Sequence, residues 1–190
     1  MKAMILSASP NEDGLTAACE QAAMERLLAG GAEVEQVCLN HLKIGNCHAC
    51  DRGWGTCQSY HRCQVEDDFQ ALHERTCLAD TLVLVTPVYW GEMSESAKAF
   101  TDRLRRCEAT RGEESRLAGH PMIMVAAAGG SGNGMITCLA SLERWIDHVR
   151  ARKFDLIPVN RWTRTYKLNT IRAATEALVN ELQEVSVNPR

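Results

Sequence analysis

The sequence contains neither a long apolar run nor a concentration of positive charge. No window of the 190 residues approaches the roughly 18 apolar residues that a membrane-spanning helix needs, and residues 1–10 hold only a short apolar stretch. We therefore expect neither membrane insertion nor export, and a cytoplasmic location. The formal net charge is -3 and the lysines and arginines are scattered along the chain. This distribution argues against nucleic acid as a partner.

Common nucleotide-binding and signalling motifs are missing from the ends of the apolar segments. The loop after the first of them has no Gly-Lys-Ser/Thr and no Gly-x-Gly-x-x-Gly. A phosphoacceptor domain would need acidic residues there and an aspartate after the third segment, where this chain has Ser7-Ala8-Ser9 and Thr86-Pro87. We find no internal repeat and no linker, so we predict a single domain over residues 1–190.

Cysteine is abundant, but its distribution does not suggest a disulfide framework. Of nine cysteines, five are dispersed through segments with helical or strand patterns. The number is odd and we expect no exported chain, which argues against structural disulfides. The other four crowd into an aperiodic insertion at residues 45–66; they are Cys47, Cys50, Cys57 and Cys63.

Five strand patterns alternate with five helical patterns. We predict strands at residues 3–6, 34–39, 81–85, 122–126 and 154–162, each followed by a helix with an apolar stripe. Such alternation predicts a parallel sheet with right-handed crossovers. The first, third and fourth strands are the most apolar, so they belong inside, and the order 2-1-3-4-5 follows. Asp67 and Asp68 precede the second helix, where we expect them to act as caps.

Three loops of unusual composition follow the three central strands, at residues 9–16, 87–94 and 128–134. The first offers hydroxyls and amides before a helix, the second has aromatic rings beside a glycine, and the third has no bulky side chain. Each loop alone is explained by turn or packing needs. Because parallel strands end at one sheet edge, their convergence predicts a site for a planar phosphate compound.

These loops resemble those of the NAD(P)H-dependent FMN reductase family. The resemblance covers nearly the whole chain and is carried by Ser9-Pro10 with Gly14 and Thr16, by Thr86-Pro87-Val88-Tyr89-Trp90-Gly91 with Ser94, and by Lys98-Ala99-Phe100-x-Asp102-Arg103. It implies a flavodoxin-like three-layer α/β/α sandwich with FMN as cofactor and NAD(P)H as co-substrate. It also implies a homodimer or homotetramer.

The resemblance assigns binding residues for FMN. It implies that Ser9, Asn11 and Thr16 hold the phosphate. The ring would be lined by Pro87, Val88, Tyr89, Trp90 and Gly91. Amides near the ring edge would come from Gly129, Gly130, Ser131 and Gly132. Because the flavin itself carries the redox chemistry, no catalytic side chain is assigned.

The cysteine-rich insertion resembles that of the iron–sulfur flavoproteins, a branch of the same family in which four thiolates bind a [4Fe–4S] cluster. That branch places its third cysteine soon after the second, where this chain has Gly53 and reaches Cys57 later. A cluster, free thiols near the flavin, and a zinc site or redox disulfide are the alternatives. His48 and His61 lie among the cysteines, although loop histidines are usually solvated or hydrogen-bonded.

Two functions follow as expectations. In the first, the protein is an FMN-dependent NAD(P)H oxidoreductase that reduces a small acceptor such as a quinone or a flavin. In the alternative it is an iron–sulfur flavoprotein that carries electrons between protein partners. Carriers that dock to proteins are usually markedly acidic, and a net charge of -3 favours the enzyme.

Overall fold

The computed structural model describes residues 1–187, in which strands and helices alternate along the chain. The strands are β1 (Lys2–Ser7), β2 (Glu33–Cys38), β3 (Thr81–Tyr89), β4 (Glu92–Met93), β5 (Pro121–Ala128) and β6 (Arg152–Asn160). The helices are α1 (Leu15–Ala29), α2 (Thr56–Ser59), α3 (Phe69–Leu78), α4 (Glu95–Glu108), α5 (Met135–His148) and α6 (Arg164–Val187). Short 3-10 turns lie at Leu39–His41, Asp51–Gly53 and Ala109–Glu114.

Five strands form a parallel sheet in the order β2-β1-β3-β5-β6. This is the predicted doubly wound order, so the flavodoxin-like fold class is confirmed. Alternate residues of the central strands face the two helical layers: Leu82 and Leu84 pack with α3, α4 and α5, while Val83 and Val85 pack with α1 and α6. The apolar runs are continuous because both faces of the sheet are covered.

The sequence did not predict the sixth strand, β4. It pairs antiparallel with the end of β3 through Val88–Met93 and Tyr89–Glu92. The reversal occurs at Trp90 and Gly91, whose φ angles are 53° and 83°. Two consecutive positive φ angles are typical of a tight hairpin turn. The aromatic loop is therefore a short hairpin rather than an open loop.

The last strand was predicted two residues too late. It covers Arg152–Asn160 rather than residues 154–162, because the Asn160 side chain ends it. Asn160 Oδ1 accepts hydrogen bonds from the N–H groups of Trp162 and Thr163, at 3.1 and 2.9 Å. This turn leads into α6. Within residues 1–187, no helix combines the length and apolar character needed to cross a membrane.

Candidate functional site

The three unusual loops meet at one edge of the sheet, as expected. In the parallel register Ser7 pairs with Val85 and Pro87 pairs with Ala127, so the carboxyl ends of β1, β3 and β5 lie side by side. The loops that follow these strands therefore border one region at the switch point of the sheet.

The first loop folds tightly before α1. Ser9 is mostly buried, and its Oγ accepts a hydrogen bond from the Asn11 N–H at 3.1 Å. Asn11 is exposed, whereas Thr16 in the first turn of α1 is buried. Among the described residues, no side chain caps α1, which begins after Gly14. The first N–H groups of α1 are thus left without a side-chain acceptor, as an anion site requires.

The second loop presents two aromatic side chains at the sheet edge. Pro87 is buried and Val88 half-buried, whereas Tyr89 is 40% exposed and Trp90 is fully exposed. Gly91 packs against Gly134 so closely that a Cβ on Gly134 would lie 2.6 Å from the Gly91 Cα. Only glycine allows this approach, which joins the second loop to the third.

The third loop leaves open space beside its backbone. A Cβ placed on Gly129 or Gly130 would meet no heavy atom within 4 Å in the described structure. Gly130 and Ser131 are exposed, while Gly132 is buried against the Trp162 ring. The exposed part of this loop can therefore offer backbone N–H groups to a flat ligand without side-chain interference.

The four clustered cysteines line a single cavity in the insertion at residues 45–66. Its lining comprises Cys47, His48, Cys50, Gly55, Thr56, Cys57, Cys63, Gln64, Val65, Arg103 and Arg106. All nine cysteines of the chain are free thiols. His48 is part of this lining, but His61 is not: its Nδ1 lies 2.9 Å from Thr110 Oγ1. The insertion thus brings four thiols and two guanidinium groups around one space.

Arg103 is a buried cation beside this cavity, with 2% of its surface exposed. Its Nη1 and Nη2 donate to the two oxygens of Asp67, at 2.5 and 2.9 Å. Nη2 also lies 3.3 Å from Cys63 Sγ, and Nη1 donates to the Gly45 carbonyl at 3.1 Å. Burial alone would raise the pKa of Asp67, but hydrogen bonds from Arg103, Phe69 N–H and Gly45 N–H outweigh it and lower that pKa.

Arg106 contributes a second guanidinium to the cavity. Its Cζ lies 4.0 Å from the centre of the Trp54 ring, a cation–π contact. Arg106 Nε and Nη2 are buried and have no hydrogen-bond partner among the described residues. Buried donors without acceptors cost free energy, so these N–H groups could donate to an acceptor held in the cavity.

The backbone of the insertion is unusual. Six non-glycine residues of the described chain have positive φ angles, and four of them lie here: Ala49, Asp51, Arg52 and His61. A left-handed backbone costs most residues about 1–2 kcal/mol. Such conformations are maintained only when surrounding contacts or a ligand determine them.

Neighbouring elements hold the insertion in place at two of its cysteines. Thr110 Oγ1 donates to the Cys57 carbonyl at 3.0 Å, and Gln70 Oε1 accepts from the Cys63 N–H at 3.1 Å. Cys107, on α4, is fully buried, and its pKa is raised by burial and then by the nearby thiols of Cys63 and Cys57. A fifth cysteine therefore lies behind the four that line the cavity, and its burial favours the neutral thiol.

A buried polar pair lies behind Gln70. His73 Nε2 and Glu108 Oε1 are 2.7 Å apart and both side chains are fully buried. Gln70 Nε2 lies 3.4 Å from the other ring nitrogen of His73. Burial alone would raise the pKa of Glu108, but hydrogen bonds from His73 and the Arg116 N–H lower it. This pair joins α3 to α4, and Gln70 links it to the Cys63 backbone.

A larger cavity of about 780 Å³ adjoins the cysteine cavity. Its lining includes Cys47 from the insertion and Tyr89 and Trp90 from the second loop. Cys47 also lines the smaller cavity and is the one residue that the two linings share. The aromatic loop and one of the four clustered cysteines therefore line the same groove, whose volume is within the range of ligand pockets.

Sequence reasoning missed the residues that connect the insertion to α4. Asp67 does accept a hydrogen bond from the Phe69 N–H at 3.1 Å, as expected of a cap, but it also holds Arg103. Arg103 lies outside the apolar stripe of its helix, so the sequence pattern indicates no structural or binding role for it. The available signal was its presence in the block Lys98-Ala99-Phe100-x-Asp102-Arg103, although this block does not reveal a partner 36 positions away.

Iron–sulfur flavoproteins are among the curated proteins that are similar to this chain in sequence. An iron–sulfur flavoprotein of Archaeoglobus fulgidus is 33% identical over 104 residues, which are 55% of this chain and 46% of that protein. An iron–sulfur flavoprotein of Methanocaldococcus jannaschii is 30% identical over 134 residues, 70% of this chain and 64% of that one. The chain thus spans less than two thirds of the length of either relative.

Similarity in structure extends further along the chain. An NAD(P)H:quinone oxidoreductase from Methanothermobacter marburgensis superposes with a TM-score of 0.68 at 18% identity, and the match covers 94% of this chain and 96% of that one. At this identity the match supports the fold alone.

The family model for NADPH-dependent FMN reductases matches residues 1–155, from β1 into β6. This match includes all three loops and the cysteine insertion, and the chain belongs to the NADPH-dependent FMN reductase family.

Proposed function

We propose that this protein is an iron–sulfur flavoprotein, an oxidoreductase that takes electrons from NAD(P)H through FMN and a [4Fe–4S] cluster to an acceptor. The observation that carries the proposal is the single cavity lined by Cys47, Cys50, Cys57 and Cys63. Four cysteine sulfurs are the usual ligand set of a [4Fe–4S] cluster. The sequence relatives named as iron–sulfur flavoproteins support the same cofactor set.

The donor geometry favours a cluster over a single zinc ion. Tetrahedral Zn–S bonds of about 2.3 Å bring ligand sulfurs to roughly 3.8 Å from one another. Among the described residues, one group of three or more ligand atoms lies within 4.8 Å of one another, and it is His73, Cys77 and Glu108. No three of the four clustered cysteine sulfurs meet this spacing, whereas a [4Fe–4S] cubane is held by sulfurs that lie farther apart. The unpaired N–H groups of Arg106 fit its negative charge.

FMN fits the three loops at the sheet edge. The phosphate would lie at the uncapped amino end of α1, beside Ser9, Asn11 and Thr16. The ring would lie against residues 87–91, with backbone N–H groups supplied by residues 129–132. When bound, FMN accepts hydride from a nicotinamide and can release electrons singly, which suits a one-electron cluster. The protein residues bind and orient the flavin.

A second candidate function is a simple FMN reductase that transfers electrons directly to a quinone or another small acceptor. The cavity of about 780 Å³ beside Tyr89 and Trp90 favours it, because a planar acceptor has room there next to the flavin loop. In this case the cysteines are free thiols or a redox-active set. The fold is compatible with both functions.

Anaerobic purification with quantification of flavin, iron and sulfide tests the proposal. One FMN with about four irons and four sulfides per chain supports it, and Cys57→Ala should then lose most of the iron while retaining FMN. Flavin without iron after anaerobic reconstitution contradicts the cluster and favours the second candidate. A chain that binds no flavin contradicts both functions.

The acceptor, the quaternary structure and the location belong to the same proposal. A homodimer or homotetramer is expected from family resemblance, and sedimentation velocity of the flavin-loaded protein tests it. A cytoplasmic location agrees with nine free cysteines, since the reducing cytosol keeps thiols from pairing. Comparison of NADH with NADPH in flavin reduction, followed by a panel of quinones and redox proteins, would identify donor and acceptor.

A further inference from the structure

We propose that Arg103 and Arg106 set the reduction potential of the cluster, Arg103 through an N–H···S hydrogen bond to Cys63 and Arg106 through its positive charge. The inference rests on the proposed function, because it concerns residues around the cluster. Both side chains come from one helix, α4, and line the cysteine cavity. Neither is a ligand, so both would act through the cluster's surroundings.

Arg103 is fixed in place by its other contacts. Two hydrogen bonds to Asp67, one to the Gly45 carbonyl and a stacking distance of 4.3 Å to the Phe69 ring determine the plane of the guanidinium. The Nη2 donor is thereby held 3.3 Å from Cys63 Sγ. Asp67 neutralises most of the charge of Arg103. Its main effect on the cluster is therefore a directed hydrogen bond to a ligand sulfur.

Arg106, unlike Arg103, has no ion-pair partner within residues 1–187 that compensates its charge. No carboxylate of the described residues lies within ion-pair distance of it, and its Nε and Nη2 donors are buried and unpaired. Its guanidinium rests on the neutral Trp54 ring, which leaves its charge uncompensated. Arg106 is thus a net positive charge at the cavity wall, with donors available to sulfur atoms.

The direction in which the two arginines shift the reduction potential of the cluster follows from charge. One-electron reduction adds a negative charge to a cluster that four thiolates already make anionic. A nearby cation and an N–H···S bond both stabilise the reduced form more than the oxidised form, so both raise the reduction potential. Removal of either contribution should make the cluster harder to reduce.

The test is a dithionite titration of the cluster, monitored by electron paramagnetic resonance, in protein with bound FMN and a quantified cluster. At the midpoint potential of the unmodified protein, Arg106→Gln should lower the ratio of reduced to oxidised cluster about tenfold, which is 59 mV for one electron. Arg106→Lys keeps the charge and should shift the ratio much less.

Arg103 needs a compensated variant, because Arg103→Gln alone leaves the half-buried Asp67 without its partner and folding can fail. The double variant Arg103→Gln with Asp67→Asn removes both charges together. It should lower the ratio at least threefold through loss of the hydrogen bond. Arg172→Gln is the matched control: Arg172 on α6 donates to Glu25 on α1 at 2.8 Å, neither residue lines the cysteine cavity, and the loss of Arg172 should leave the ratio unchanged.

The outcomes separate this inference from the proposed function. If the unmodified chain takes up no iron on reconstitution, the cluster itself is overturned and this inference falls with it. If all variants hold four irons but titrate like the unmodified protein, only the role of the arginines is overturned. A shift in Arg172→Gln equal to that in Arg106→Gln would also overturn it, because net charge alone would then explain the effect.

Discussion

The Ser94 hydroxyl donates a hydrogen bond to the backbone carbonyl of Ala8, with 2.8 Å between the two oxygens. The same hydroxyl accepts from the Ala97 N–H at 3.4 Å and so caps α4. The Ser94 N–H is bonded in turn to Thr86 Oγ1 at 3.0 Å. Ala8 precedes the first loop and Ser94 ends the second, so one buried side chain ties together two of the three loops that we assign to FMN.

Ser94→Ala should therefore weaken both the fold and flavin binding. Loss of a helix cap and a buried hydrogen bond should lower the free energy of unfolding by about 1–2 kcal/mol. The dissociation constant of FMN should rise several-fold because the loops are no longer held in register. Urea denaturation and titration by flavin fluorescence measure these effects. Ser94→Thr keeps the hydroxyl and should stay near the unmodified protein; an equal loss in that variant would contradict the hydrogen-bond explanation.

A substitution at Trp90 should change the affinity for FMN without lowering the free energy of unfolding. Its side chain is fully exposed and its φ angle is 53°, so Trp90→Gly removes no packing and relieves a strained backbone. We expect the free energy of unfolding to stay the same or to rise by up to about 1 kcal/mol. FMN affinity should fall roughly tenfold through lost stacking. Trp90→Phe retains a ring and should bind within a few-fold of normal. Unchanged affinity in Trp90→Gly would place the flavin elsewhere.

Cys107 tests which cysteines are ligands. It is fully buried, burial raises its pKa, and it is absent from the residues that line the cysteine cavity, so we assign it no ligand role. Cys107→Ala should keep its full iron and sulfide content, whereas Cys57→Ala should lose most of both. Equal loss of iron in the two variants would mean that the ligand set differs from the one we assign.

The His73–Glu108 pair should make the free energy of unfolding depend on pH in the acidic range. A carboxyl whose pKa is lowered on folding stabilises the protein above its ordinary pKa of about 4.3. This contribution is lost as the pH falls through the lower, folded value. We expect the free energy of unfolding to decline below about pH 4.3. Glu108→Gln should lower it by about 3–5 kcal/mol at neutral pH and should flatten part of the decline.

An exposed ion pair is the matched comparison for Glu108. Glu74 pairs with Arg116 at 2.7 Å with both side chains partly exposed. Glu74→Gln should cost no more than about 1 kcal/mol, because solvent screens this pair. Chemical denaturation between pH 3 and pH 8 distinguishes the two variants. If Glu74→Gln were as damaging as Glu108→Gln, burial would not be the reason for the effect of Glu108.

The sheet and its loops could be predicted because their signals are local. Leu82 to Val85 form an unbroken apolar run, which identifies a strand covered on both faces. Strand polarity then gives the order and hence the position of the loops. β4 escaped prediction because it has only two residues, and its pairing depends on left-handed backbone at Trp90, which the sequence pattern does not show.

The surroundings of the cysteines could not be predicted for a different reason. The cluster of cysteines in the sequence indicated a site. The position of Arg103, by contrast, is typical of a solvent-facing charge on an amphipathic helix. Its burial depends on Asp67, which is distant in the sequence and whose first reading is a helix cap. Contacts between such distant residues follow from the tertiary fold, and no periodicity or spacing encodes them.

The left-handed backbone of the cysteine insertion couples the folding of this segment to the binding of its ligand. Ala49, Asp51, Arg52 and His61 adopt conformations that are unfavourable in the chain alone, so whatever binds the four thiols must also offset that cost. The emptied insertion should open locally and become accessible to proteases while the sheet stays folded. Protease resistance of residues 45–66 would then report how fully the site is loaded.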